Sequence, residues 1–125
     1  MVLDAGALIQ VDTKSHSKVL AECREASGRG VRPLIPSVVF AQVWREDPRQ
    51  RDLATLRNAS VIVPFTVETA KDVGGLLARS GTSDIVDAAV VVLAMASGAA
   101  AVTSDPDDIK MLADAADFRI PLITV

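Results

Sequence analysis

The sequence is poor in aromatic residues and in cysteine. Its 125 residues include three Phe, one Trp and no Tyr, although half of them are hydrophobic. The core must therefore be built from Ala, Val, Leu and Ile, as is common where Val- and Ile-rich strands lie under Ala- and Leu-rich helices. The single cysteine, Cys23, excludes an intrachain disulfide and a zinc site made of several cysteines, and it favours a reducing compartment.

Long hydrophobic runs and an excess of positive charge are missing as well. The longest apolar run, residues 88–96, has nine residues, where about 20 are needed to cross a bilayer. The opening segment is interrupted by Asp4 and lacks the basic part of a secretory leader. The formal net charge of −3 means that only local Arg groups or bound cations could attract a polyanion. We therefore expect a cytoplasmic protein without membrane association.

Strand and helix patterns alternate along the chain, which predicts one α/β domain over residues 1–125. Short Val- and Ile-rich segments predict strands near residues 2–4, 32–35, 61–64, 101–103 and 122–125. Apolar periodicity and capping signals predict helices near residues 17–26, 37–44, 48–57, 67–78, 84–97 and 106–115. The short connections between them predict a three-layer α/β/α sandwich around a mostly parallel sheet.

This topology brings four aspartates from distant parts of the sequence to one edge of the sheet. Asp4 ends the first strand and Asp105 follows the fourth, and the carboxyl ends of parallel strands meet at one edge. Asp84 and Asp87 share a face at the start of the helix that leads into the fourth strand. Clustered carboxylates need a cation, and Mg²⁺ and Mn²⁺ prefer such oxygen ligands. The chemistry that this predicts is metal-assisted hydrolysis of a phosphodiester.

Ordinary structural roles could also explain most of these residues. Asp84 and Asp87 are favoured by the dipole of the helix that they begin, with Ser83 or Thr82 as its cap. Asp4 is harder to explain in this way, because an aspartate inside an apolar strand is disfavoured by propensity and by burial.

The acids around the last predicted helix allow the same two interpretations. Asp105 precedes Pro106 and suits a turn or a cap as well as a metal site. Asp107 and Asp108 are expected to be first-turn acids, although Asp108 could face the site. Taken together, the coincidence of several carboxylates at one edge favours the metal site.

Three motifs follow one another along the chain: VLDA at residues 2–5, TSDIVDA at residues 82–88 and VTSD at residues 102–105. In order and spacing they resemble PIN-domain proteins, especially the VapC-like toxins of bacterial toxin–antitoxin pairs. The resemblance implies a Mg²⁺- or Mn²⁺-dependent endoribonuclease, usually dimeric and often held inactive by a cognate antitoxin. The matching catalytic and metal positions are Asp4, Asp87 and Asp105, with Asp84 as a fourth metal ligand, and Thr103 matches a supporting hydroxyl.

One position departs from the family pattern. PIN-domain proteins usually carry a Glu in the helix after the second strand, and the matching residue here is Gln42. An amide oxygen can hold a metal ion or its water but brings no charge, so we expect weaker metal affinity unless Asp84 compensates. Glu46, one turn further on, is another possible donor. A second function therefore stays open: a degenerate PIN-type protein that binds RNA or a protein partner without cleaving.

The densest basic stretch contains four arginines within 13 residues, at positions 45, 49, 51 and 57. Arg45 and Arg49 are the candidate contacts to an RNA backbone. A solvated helix face balanced by Glu46, Asp47 and Asp52 explains the same stretch equally well.

A receiver-like phosphoacceptor domain is a third candidate function, because it also collects aspartates at a sheet edge. The sequence disfavours it. The acidic pair expected beside the first strand and the expected late lysine are not evident.

Overall fold

The computed structural model describes residues 1–14 and 16–125. Its strands are β1 (Val2–Leu3), β2 (Leu34–Pro36), β3 (Val61–Val63), β4 (Ala101–Thr103) and β5 (Leu122–Thr124). Its helices are α1 (Ala5–Thr13), α2 (Lys18–Gly28), α3 (Ser37–Val43), α4 (Arg51–Ala59), α5 (Val67–Ser80), α6 (Ile85–Ser97) and α7 (Pro106–Ala115).

All five strands pair in parallel, in the order β3-β2-β1-β4-β5. The central strand is β1, where Val2 pairs with Leu34 on one side and Leu3 pairs with Val102 on the other. The chain moves outward from β1 in one direction and later returns to continue in the other, so its right-handed crossovers lie on opposite faces. Strand order thus reverses between β1 and β4, and ligands of such sheets bind at the carboxyl edge of this point.

The helices pack mainly as two groups, α1 to α4 and α5 to α7, with the sheet between them, and α3 also contacts α6. The predicted three-layer α/β/α architecture is present, with a sheet that is entirely parallel. In the described part of the chain, the buried hydrophobic residues are aliphatic, as the composition predicts. Phe40 and Trp44 stack with ring centroids 5.2 Å apart and are only partly buried. Across the described residues, no helix has both the length and the apolarity that a membrane span requires.

Helix α1 is the element that the sequence patterns did not predict. The first strand has only two residues and passes directly into the helix, whose buried face includes Ala7, Leu8 and Val11. Asp4 is the N-cap of this helix, because its Oδ1 accepts the Ala7 N–H at 2.7 Å. Asp4, a residue type that is disfavoured inside an apolar strand, therefore lies at the junction between β1 and α1.

Helix α4 begins later than predicted. The signal at Asp47 and Pro48 marks a turn, in which the Gln50 N–H bonds to the Asp47 carbonyl at 3.0 Å, and the helix begins at Arg51. The buried amide of Gln50 accepts the Arg45 N–H and donates to the Val43 carbonyl and the Asp12 carboxylate. These bonds connect the turn to α1 and α3.

Candidate metal centre

Three of the helices that begin at the carboxyl edge of the sheet have an aspartate at the N-cap position. Asp4 precedes α1, Asp84 precedes α6 and Asp105 precedes α7. The amino ends of helices carry partial positive charge, which favours carboxylates at these positions. Asp4 and Asp84 cap their helices through a side-chain oxygen, whereas the Asp105 side chain makes no capping bond.

Asp4 is the most buried of these acids, with 4% of its surface exposed. Burial raises the pKa of its carboxyl group above the ordinary value, and the nearby Asp105 adds to the effect. Hydrogen bonds from the Thr103 hydroxyl and from the backbone of Ala7 and Ser104 act in the opposite direction. Burial therefore disfavours the charged form of Asp4, while the neighbouring hydroxyl and backbone N–H groups favour the charged form and hold the carboxylate in position.

Thr103 joins two of the predicted site residues. Its side chain is fully buried at the end of β4, and its Oγ1 accepts the Asp105 N–H at 2.9 Å. The same hydroxyl lies close enough to the Asp4 carboxylate to lower the pKa of that group. A hydroxyl can donate one hydrogen bond while accepting another, so Thr103 connects Asp4 to Asp105.

The start of α6 places Asp84 and Asp87 side by side. Asp84 Oδ1 accepts the Asp87 N–H at 3.0 Å, so the cap is Asp84 itself and not the suggested Ser83 or Thr82. Asp87 is half-buried, and its pKa is raised to about 6, first by burial and then by the charges of Asp84 and Asp4. Because the charge of Asp4 acts on Asp87, the start of α1 lies close to the start of α6.

Asp108 also belongs to this group, although the sequence favoured a plain first-turn role for it. A side-chain hydrogen bond to Asp105 raises the pKa of Asp108, and the charge of Asp108 contributes to the raised pKa of Asp87. The signal that could have identified it is spacing. Asp105 and Asp108 stand three residues apart at a helix start, as Asp84 and Asp87 do. We call Asp4, Asp84, Asp87, Asp105 and Asp108 the aspartate cluster.

No basic side chain neutralises the aspartate cluster within the part of the chain that the structure describes. The salt bridges there join Arg29 to Glu25, Arg49 to Asp47 and Lys110 to Asp114. Within the same residues, no three acidic, histidine or cysteine side chains converge closely enough to hold an ion as they stand.

The donor chemistry nevertheless fits a hard divalent cation. Mg²⁺ usually keeps several waters and binds directly to only one or two carboxylates. The side chains of Asp84, Asp105 and Asp108 are exposed and have room to turn, whereas Asp4 is fixed. The aspartate cluster could therefore hold an ion through one or two direct ligands and contact its waters with the rest.

Gln42 and Glu46 lie outside this hydrogen-bonded arrangement. Gln42 is exposed near the end of α3, and among the described residues no hydrogen bond joins it to the aspartate cluster. Glu46 accepts the Trp44 indole N–H at 2.8 Å and has a left-handed backbone, with φ of 55°. The carboxylate of Glu46 thus has a local partner.

The two candidate RNA contacts also have local partners. The Arg45 guanidinium donates to the carbonyl oxygens of Ala41 and Trp44, at 3.1 and 2.7 Å, and so satisfies the end of α3. The Arg49 guanidinium forms an ion pair with Asp47 at 2.8 Å. Both side chains are exposed, and their role in binding RNA stays a prediction.

Comparison with known proteins supplies independent information. A family model described as PIN domain matches residues 1–115. A chain in the crystal structure of VapBC2 from Rickettsia felis, bound to a DNA fragment from their promoter, superposes with a TM-score of 0.76. That match covers 99% of this chain and 97% of the other at 16% sequence identity. No curated protein matches the sequence. The predicted α/β fold is confirmed.

Proposed function

Because this chain belongs to the PIN domain family, we propose that it is a Mg²⁺- or Mn²⁺-dependent endoribonuclease that hydrolyses RNA phosphodiester bonds. The observation that carries the proposal is the arrangement of the acids: Asp4, Asp84 and Asp105 are the N-caps of three helices, and Asp84 accepts the backbone N–H of the half-buried Asp87. The pKa of Asp87 is raised to about 6 by burial and by the neighbouring charges of Asp84, Asp4 and Asp108. Carboxylates crowded in this way, without a basic partner, are suited to a divalent cation.

Asp4, Asp87 and Asp105 are the proposed catalytic residues and metal ligands, and Asp84 and Asp108 flank them. When bound, a divalent cation would polarise a water and stabilise the charge that develops on the phosphoryl group. Asp4 is kept in place by its cap bond to α1 and by the Thr103 hydroxyl. The half-buried Asp87 and the exposed Asp105 approach from α6 and α7.

The charge of the site predicts an order of binding. A phosphate backbone is repelled by the aspartate cluster until a cation neutralises it. RNA should therefore bind well only after the metal. Arg45 and Arg49 remain the proposed basic contacts, although each would have to leave or share its present partner.

The biological setting that we propose is a type II toxin–antitoxin pair, with this chain as a cytoplasmic toxin and a cognate antitoxin as its partner. Support comes from the family and from the fold shared with a chain of the VapBC2 structure. We also propose a homodimer. The exposed hydrophobic residues Phe65 and Val67, the latter 73% exposed, lie between β3 and the start of α5 and are candidates for its contact surface.

The alternative is a degenerate PIN-type protein that binds RNA or a protein without cleavage. Gln42 is the observation that favours it, because the usual charge is missing and, among the described residues, no hydrogen bond joins the amide to the aspartate cluster. The two functions differ in metal affinity, since a degenerate site should bind Mn²⁺ poorly even at high concentration.

Calorimetric titration of the purified protein with Mn²⁺ tests the proposal without a guess at the RNA. Saturable binding is expected in the wild type and should be lost in Asp4→Asn, which keeps an oxygen to cap α1 but removes the charge. Asp114→Asn, a change to an exposed acid paired with Lys110, is the matched control and should bind normally. The second experiment is a cleavage assay. The wild type should cleave total bacterial RNA in the presence of Mn²⁺, and Asp4→Asn should not. Absence of binding in the wild type would favour the degenerate protein.

A further inference from the structure

Gly6, in the first turn of α1, is the glycine with the least room for a side chain. A Cβ placed on it would overlap the Oγ of Ser104 and lie 3.1 Å from the Ser104 Cβ. The other six glycines have nothing within 4 Å of such an atom. The nearness of Ser104, and not an unusual backbone angle, disfavours a larger residue at this position, because the φ of Gly6 is not positive and an added Cβ would force Ser104 to move.

Ser104 is adjacent to both carboxylates that Thr103 connects. Its backbone lies close enough to the Asp4 carboxylate to lower the pKa of that group, and in the sequence it lies between Thr103 and Asp105. The side chain of Ser104 occupies the space that a side chain at Gly6 would fill, next to Asp4 Oδ1. The segment between β4 and α7, which contains Asp105, therefore packs directly against α1.

We propose that Ser104, packed against Gly6, is a positioning residue that sets the separation between the Asp4 and Asp105 carboxylates. The inference rests on the proposed function, because this separation matters only if the two groups serve a common ion. The Thr103 hydroxyl connects the same carboxylates from the buried side. The Gly6–Ser104 contact is on the side of α1, so the two contacts together restrain Asp105 from two directions.

The test is a pair of variants read by Mn²⁺ calorimetry. Gly6→Ala inserts the overlapping atom, displaces Ser104 and should weaken Mn²⁺ binding by roughly tenfold or more, the usual effect of disturbing groups that orient metal ligands. Gly6→Ala combined with Ser104→Gly puts the new methyl group in the space that the Ser104 side chain leaves, so a contact is kept without overlap. Affinity should then return to within about threefold of the wild type. Gly74→Ala, at an exposed helical position with open space around it, should leave affinity unchanged.

A second measurement does not depend on the metal. Hydrogen exchange of the Asp105 amide, which bonds to Thr103 Oγ1, should accelerate in Gly6→Ala and return to the wild-type rate in the double variant. If Gly6→Ala does not fold, Ser104→Gly alone removes the same contact without adding atoms. It should then accelerate this exchange and weaken Mn²⁺ binding.

The possible outcomes separate the inference from the proposed function. Wild-type affinity and exchange in Gly6→Ala would overturn the positioning role, as would a double variant that stays as impaired as Gly6→Ala. A wild type that binds no Mn²⁺ would contradict the proposed function. In that case the exchange rates alone decide whether the Gly6–Ser104 contact positions Asp105.

Discussion

Asp84 accepts a hydrogen bond from the backbone N–H of Asp87 at 3.0 Å, while the charge of the same Asp84 raises the pKa of the Asp87 side chain. The pair therefore stabilises the start of α6 through one contact and opposes its own ionisation through another. Asp105 and Asp108 repeat the spacing at the start of α7, where a side-chain hydrogen bond raises the pKa of Asp108. The repulsion between these carboxylates contributes nothing favourable to folding.

Asp87→Asn should stabilise the metal-free protein at neutral pH. The pKa of Asp87 is about 6 in the folded protein against an ordinary value of 3.8. The folded state therefore holds more protons than the unfolded chain between these values, and stability falls as pH rises across that window. Allowing for partial exposure, we expect a gain of about 1 kcal/mol, or about 4 °C in Tm, at pH 7.5.

Thermal unfolding at several pH values measures this gain. The difference between Asp87→Asn and the wild type should shrink as pH falls below 6 and vanish near pH 3, where Asp87 is largely protonated in both states. Asp114→Asn, which removes an exposed acid paired with Lys110, should not raise the Tm. A destabilised Asp87→Asn at neutral pH would contradict the account of crowded charges.

Mn²⁺ affinity should rise with pH and level off above about pH 7. Protons compete with the metal for Asp87, whose pKa is about 6, and the raised pKa of Asp4 acts in the same direction. Calorimetry between pH 5.5 and pH 8 would give the profile. A flat profile would mean that the metal binds elsewhere than at these two carboxylates.

Thr103→Val should weaken both the fold and the metal site. It keeps the shape of the side chain but removes the hydroxyl that lowers the pKa of Asp4 and accepts the Asp105 N–H, which leaves the part-buried Asp105 N–H without a partner. We expect a loss of about 1 to 3 kcal/mol in the free energy of unfolding and Mn²⁺ binding weaker by roughly tenfold.

Thr103→Ser is the matched control, because it retains the hydroxyl and loses only a methyl group. Denaturant unfolding and Mn²⁺ titration of both variants separate the two contributions. Should Thr103→Ser lose as much Mn²⁺ affinity as Thr103→Val, the hydroxyl would not be the important group.

Gln42→Glu should strengthen Mn²⁺ binding, by roughly tenfold, if the end of α3 faces the aspartate cluster when metal is bound. The change supplies the charge that PIN-domain proteins usually have at this position, and an added anionic ligand raises affinity for a hard cation. Gln42→Ala is the comparison and should have little effect. Unchanged affinity in Gln42→Glu would place residue 42 outside the site.

Gln50→Leu should destabilise the protein without altering metal binding. The buried amide of Gln50 accepts the Arg45 N–H at 2.8 Å and donates to the Val43 carbonyl and to Asp12. Leucine fits the volume but leaves these partners unsatisfied, so we expect a loss of about 1 to 3 kcal/mol. Denaturant unfolding measures the loss, and an unchanged Mn²⁺ titration would show that the turn between α3 and α4 serves the fold alone.

Local patterns were sufficient for much of the architecture. The apolar segments at β2 to β5 and the helical periodicities of α2 and α5 to α7 are properties of neighbouring residues, so they could be recognised without a structure. The direction of a parallel sheet then places Asp4, Asp84, Asp87 and Asp105 at one edge, and the PIN resemblance follows from the same residues. Helix α1 was missed because a two-residue strand leaves no separate signal before it.

The sequence by itself determined which elements form and which acids reach the carboxyl edge, because chain direction and short connections leave few alternatives. Only the tertiary structure decided how these groups meet. Three contacts join residues of different elements. Thr103 lies between the Asp4 and Asp105 carboxylates, Asp108 lies near Asp87, and Ser104 packs against Gly6. Such contacts depend on distances of a few ångströms between packed helices and strands, and local patterns carry no information on those distances.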